Sequence, residues 1–158
     1  MYGPCCLDSG GPGWGRKGEQ MMDEDGAGHE LGVVTEAEAW QLVRGRELGR
    51  LAVCIAGVPE IFPVNYRLDI DGAVVVRTAP GLKLAGALLG GEVAFEVDQI
   101  DEAAHTGWSV VIHGRATEVA GTEARLHTDD LGVDPWVRSP KHRYLRVAPD
   151  RISGRRVV

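Results

Sequence analysis

The chain is short of several things that would place it quickly. Three cysteines, Cys5, Cys6 and Cys54, cannot build a disulfide framework or a four-ligand zinc site, and a reducing compartment is the default expectation. Cys54 lies in the apolar run 51–56 and reads as a buried, inert thiol. No run reaches the roughly 18 apolar residues that a membrane helix needs. The amino terminus has no basic stretch followed by an apolar segment, so a cytoplasmic location is expected. Positive charge is scarce: 17 Lys and Arg stand against 23 Asp and Glu, a net charge of −6. That balance argues against a surface that coats nucleic acid. Neither a phosphate-binding P-loop nor a Gly-x-Gly-x-x-Gly turn is present, and Ser109 lacks the Gly-x-Ser-x-Gly setting of a hydrolase.

With 158 residues, 44% of them hydrophobic, the chain can bury one core. Residues 1–32 are Gly-rich and aperiodic and hold six acidic residues against Arg16 and Lys17, which predicts a disordered tail followed by one domain over 33–158. Thr35-Glu36-Ala37-Glu38 is a capping box that opens a helix closing near Gly45. Strands are expected over 51–56, 61–69, 73–78, 93–98 and 108–119, and a sixth over 144–158 interrupted at Pro149. Pro63, which has no N–H to donate, should sit at an edge or irregularity. Short helices are expected over 82–89 and 123–131. Few short helices beside repeated antiparallel strands define a mainly β protein, a small barrel with helical plugs.

Two stretches could hold a ligand. Arg77-Thr78-Ala79-Pro80-Gly81-Leu82-Lys83 gathers a guanidinium, a hydroxyl and an ammonium around a turn entering a helix, a setting for a phosphate. In Gly107-Trp108-Ser109-Val110, strand alternation puts Trp108 on one face and Ser109 on the other, offering an apolar wall and a hydroxyl. His113 has no second ligand at metal spacing, so no metal site is expected. Glu96 and Asp98 share a strand face, and no residue declares itself a catalytic acid or base. That pattern suits an enzyme whose chemistry resides in a bound cofactor.

The series Gly49-Arg50-Leu51-Ala52-Val53, Pro59 to Tyr66, Val76 to Lys83, Val93 to Asp98 and Gly107 to Val110 resembles, in order and spacing, the pyridoxamine 5′-phosphate oxidase-like family of flavin-binding split barrels. The stretch from Trp136 through Arg143-Tyr144-Leu145-Arg146-Val147 to Arg155 is similar to the last strand of its small actinobacterial members. The resemblance implies a six-stranded antiparallel split barrel that forms a homodimer and binds FMN in clefts between subunits. It implies that Arg77, Thr78 and Lys83 hold the FMN phosphate, that Asn65 and Tyr66 lie along the ring system, and that Trp108 and Ser109 approach it from the partner subunit. It further implies hydride transfer between flavin and a small conjugated substrate. The Arg-x-His pattern of vitamin-B6 oxidases is absent after Arg143. A deazaflavin reductase on the same fold, its cleft made basic by Arg138, Lys141, Arg143 and Arg146, and a non-catalytic flavin or haem binder are the alternatives.

Overall fold

The computed structural model describes residues 30–81, 86, 91–133 and 143–158, with the side chains of 123–125 left aside. Seven strands and two helices follow in the order β1 (Leu31–Val34), α1 (Glu36–Arg44), β2 (Leu48–Ile55), β3 (Val58–Leu68), β4 (Val74–Thr78), β5 (Glu92–Asp101), β6 (Thr106–Glu118), α2 (Thr122–Asp130) and β7 (Arg143–Val157). All pairings are antiparallel. The sheet runs β7-β4-β3-β2-β5-β6 and closes through a β6–β7 pairing, which makes the expected six-stranded barrel. Beside it, β1 adds a seventh short strand along the end of β7. That strand corrects the sequence reading at its edge, which puts Leu31 and Gly32 in the tail. The alternation of Leu31-Gly32-Val33-Val34 is too brief to signal a strand alone, and pairing with Val157 to Gly154 supplies what local propensity does not.

Alternate residues fill the interior. Leu51, Val53, Tyr66, Val74, Val76, Phe95, Ile112, Leu145 and Val147 are buried, and the Tyr66 and Phe95 rings meet edge-to-face at 4.8 Å between centroids. One end of the barrel is plugged by α1, which buries Ala39 and Val43. Thr35 caps it, its hydroxyl accepting from the Glu38 N–H at 3.4 Å. The capping box is only half realised, because the Glu38 carboxylate accepts from Arg156 on β7 and ties helix to barrel. Outside the barrel, α2 lies over Val75 and Tyr144, in a second small cluster with Val119 and Val133.

Three further expectations meet the structure here. Pro63 sits in the half of β3 that pairs with β2 alone among the described residues, as its missing N–H requires. The last strand is continuous rather than interrupted: the register slips between His113 and Gly114, which leaves Asp150 as the extra residue of a bulge. The slip resets the alternation, so Tyr144 and Arg146 before it and Arg151, Ser153 and Arg155 after it all face outward. Gly114 permits this approach, since a Cβ there would lie 2.0 Å from the Ala148 carbonyl oxygen. Cys54 is not fully buried as expected; it is half-buried on β2. The helix expected over 82–89 lies outside the described residues apart from Gly86.

Candidate functional site

Each dipeptide singled out in the sequence is divided by the two-residue period of its strand. On β3, Tyr66 points inward, is 1% exposed and donates its hydroxyl to the Val43 carbonyl. Its burial pushes the phenol well above its usual pKa. The side chain is therefore part of the core, whereas the resemblance implies that Tyr66 lies along a bound ring. Asn65 faces out, its Nδ2 donating to the Glu47 carbonyl at 3.4 Å. On β4, Thr78 is buried and its hydroxyl donates to the Ala79 carbonyl at 3.3 Å, whereas Arg77 faces out, its guanidinium carbon 5.7 Å from the Tyr144 ring centre. Arg77 and Thr78 thus do not converge on one point by their side chains. Lys83 lies outside the described residues.

Register collects the outward members. Tyr66 pairs with Val76, so one step along the ladder sets Asn65 against Arg77, and Arg77 pairs with Tyr144. Asn65, Arg77 and Tyr144 form one outward cluster. Tyr144 donates to the Asp129 carboxylate at 2.5 Å, which braces α2 beside it.

A second cluster lies elsewhere. Trp108 shares the phase of Val110 and Ile112, packs against the core at the end plugged by α1, and has the Arg46 guanidinium 5.7 Å from its ring centre. Ser109 faces out between Asp98 on β5 and Arg155 on β7. The adjoining row is Ile100, Gly107, Val157 and Leu31. Gly107 has no side chain to fill that row, and a Cβ there would meet the Gln99 carbonyl oxygen at 2.7 Å. The result is a cleft of about 600 Å³ with apolar walls from Leu31, Ile100, Trp108 and Val157, and with Ser109, His105, Arg155, Arg156 and the carboxylates of Glu96, Asp98, Asp101 and Glu102 also lining it. Its volume is in the range of small-molecule sites. The sequence reading names Trp108 and Ser109 as site residues and quotes Gly107 and Arg155 without a role, and does not single out Ile100 or Leu31; the pairing of β1 and β6 with β7 is what brings them together.

Several charged residues are held in ion pairs. Arg50 binds both Glu96 and Asp98, so those carboxylates are tied in a surface ion network. Arg143 binds Glu118, and Arg146 binds Asp69 and Asp71. A separate depression of about 410 Å³ beside the end of α1 is lined by Arg44, Arg46 and Arg67 but holds none of the outward site residues named above.

A six-stranded barrel with an added strand, a plugging helix and two outward clusters defines a split-barrel protein. Residues 35–156 match the family model for pyridoxamine 5′-phosphate oxidase. An uncharacterised protein, Rv0080, of Mycobacterium tuberculosis is 36% identical over 126 residues, 77% of this chain and 82% of that one. The FAD binding protein of Mycobacterium smegmatis superposes with a TM-score of 0.69 at 31% identity, covering 80% of this chain and 98% of that one. The conserved protein DIP1874 of Corynebacterium diphtheriae, of unknown function, gives 0.69 at 34% identity over 81% and 98%. The chain belongs to the pyridoxamine 5′-phosphate oxidase family.

Proposed function

We propose that this protein is a homodimeric, FMN-binding oxidoreductase that exchanges a hydride between flavin and a small conjugated substrate. One observation carries the reading: the two outward clusters flank opposite ends of one strand. On β7, Tyr144 adjoins Arg77 and Arg155 adjoins Ser109. Ten or eleven residues of strand at about 3.3 Å each separate them, on the order of 30 Å. A single mononucleotide does not reach across that span within one chain. A second copy, presenting its Ser109 cleft to the first copy's Arg77 and Asn65, assembles both clusters on one ligand and repeats the arrangement by two-fold symmetry.

The residues present fit such a ligand. Arg77 is held against Tyr144 at a strand end from which a guanidinium can grip phosphate by paired N–H donors, and by family resemblance Lys83 joins it. The Gly107 row offers a flat apolar floor to a planar ring, with Trp108 as a side wall and Ser109 as a hydrogen-bonding group at its edge. Bound flavin supplies the two-electron chemistry. The protein's own residues bind, orient and keep water from one face. The flavin-binding neighbour in Mycobacterium smegmatis supports the cofactor class. The protein as purified is expected to show flavin absorbance, and mass spectrometry of what it releases on denaturation separates FMN from FAD and from a deazaflavin. A colourless protein that leaves added FMN fluorescence unchanged would contradict the reading.

A further inference from the structure

We infer that the depression beside the end of α1 is a second ligand site, which takes a small phosphate-bearing anion and is linked to the Trp108 cleft through Arg46. Its walls and charges belong to one chain and need neither flavin nor a second copy. Three stretches build it: the carboxyl end of α1 with the turn that follows, the last part of β3, and the start of the turn toward β4. The lining runs from Val43 to Glu47 and from Tyr66 to Ile70 around about 410 Å³ of space. That volume lies toward the small end of ligand pockets. The Tyr66 N–H donates to the Glu47 carbonyl at 3.0 Å, which folds the segment after the helix along β3, and the Tyr66 hydroxyl donates to the Val43 carbonyl to close the floor.

Three arginines, Arg44, Arg46 and Arg67, line this space against Glu47 and Asp69. Both carboxylates are already answered. Asp69 is held by His127 of α2 and Arg146 of β7, which lie outside the depression. Glu47 pairs with Arg67 at 2.6 Å but is 59% exposed, and a solvent-exposed pair of this kind is weak enough for an incoming anion to exchange with it. Arg44, exposed in the last turn of α1, has no ion-pair partner among the described residues. Burial raises the pKa of the Tyr66 phenol, and the charges that act against that rise are those of Arg46 and Arg67, with neither lining carboxylate adding to it. The field at the floor is therefore positive.

A guanidinium matches the oxygens of a phosphate with paired N–H donors, so arginines in place of lysines favour a phosphate group over a halide. Ile70 at the rim is 97% exposed and offers an apolar contact to the organic part of such a ligand. Arg46 stands between the two sites. Its guanidinium donates to the Gln99 side chain and lies 5.7 Å from the ring centre of Trp108, which is a wall of the cleft. An anion in the depression draws on the same positive charge that the indole face attracts and weakens that contact. Occupancy of one site is thereby felt at the wall of the other.

The test titrates inorganic pyrophosphate, and inorganic phosphate beside it, into the full 158-residue chain in chloride buffer, followed by calorimetry and by tryptophan emission. Saturable binding is expected with a dissociation constant on the order of 1 mM or tighter, as a few charge-assisted contacts provide. R44Q and R67Q should each weaken it by about tenfold. E47Q should tighten it severalfold by releasing Arg67, a gain that a poorly folded variant cannot imitate. R77Q, at the other cluster, should leave this binding in place, and W108F should lose the emission change while calorimetric binding persists. No saturation by about 10 mM, binding abolished by R77Q but indifferent to R44Q and R67Q, or E47Q binding no tighter than the parent chain overturns the site. Emission unchanged at saturation overturns the link to Trp108.

Discussion

Tyr66 shows how one side chain can be read two ways. Its ring and hydroxyl belong to the core, where the O–H donates to Val43 at the end of α1. The Val43 carbonyl also accepts from the Arg46 N–H at 3.3 Å, so Tyr66→Phe leaves no orphaned acceptor. The substitution should cost about 1 kcal/mol and lower the melting temperature by roughly 3 to 5 °C, read by thermal denaturation, with FMN affinity unchanged. His127 makes a different kind of prediction. Its Nε2 lies 2.9 Å from Asp69, a contact that holds the imidazole charged above its usual pKa and keeps the Asp69 carboxyl below its own. The histidine's contribution is complete below about pH 6.5 and is lost as pH rises through its raised value; the aspartate's is complete above about pH 4 and is lost as pH falls through its lowered one. The clasp between α2 and the β3–β4 turn therefore holds best between those limits. H127Q should flatten the alkaline side of the stability profile, and identical profiles for the two proteins would refute it. The sequence names Asn65, Arg77 and Ser109 as cofactor-binding residues together with neighbours, Tyr66, Thr78 and Trp108, that the two-residue period turns inward. Applied to all three dipeptides, alternation alone would have separated them.

At the scale of elements, β7 is the organising strand: its bulge separates the segment that pairs with β4 from the segment that pairs with β1, while β6 pairs along both. Gly114→Ala places a methyl against the Ala148 carbonyl, and backbone must move to accommodate it. The variant should lose about 2 kcal/mol or more, measured by chemical denaturation, and a loss within 0.5 kcal/mol would show that the bulge is adaptable. Most of this architecture was legible: helix α1 from its capping box, β3 and β4 from Asp71-Gly72, β5 from its alternation. What was not legible depends on distant partners. Nothing local distinguishes Leu31–Val34 from the tail before it until Gly154 to Val157 lies alongside, and the polar stretch 99–107 hides the ends of β5 and β6, which pair as far as Asp101 and Thr106. The cleft rows arise from those same pairings, so the place of Gly107 and Arg155 beside Ile100 and Leu31 could not be read before the register was known.

For the whole molecule, the central question is whether two clusters on the order of 30 Å apart serve one ligand shared between two copies. Arg77→Gln removes a charge-assisted contact and should weaken FMN binding by about ten- to a hundredfold in a fluorescence titration, with the fold retained. Trp108→Ala should also weaken binding, by removing the wall of the cleft in the partner. The most direct measurement mixes these two variants, each nearly devoid of flavin alone, after dissociation and reassociation under reducing conditions. A mixed dimer has one site carrying both substitutions and one carrying neither, so random exchange should restore tight FMN binding at about a quarter of all sites. No recovery on mixing, or a monomeric chain that binds FMN at full strength, would contradict a site shared between two copies.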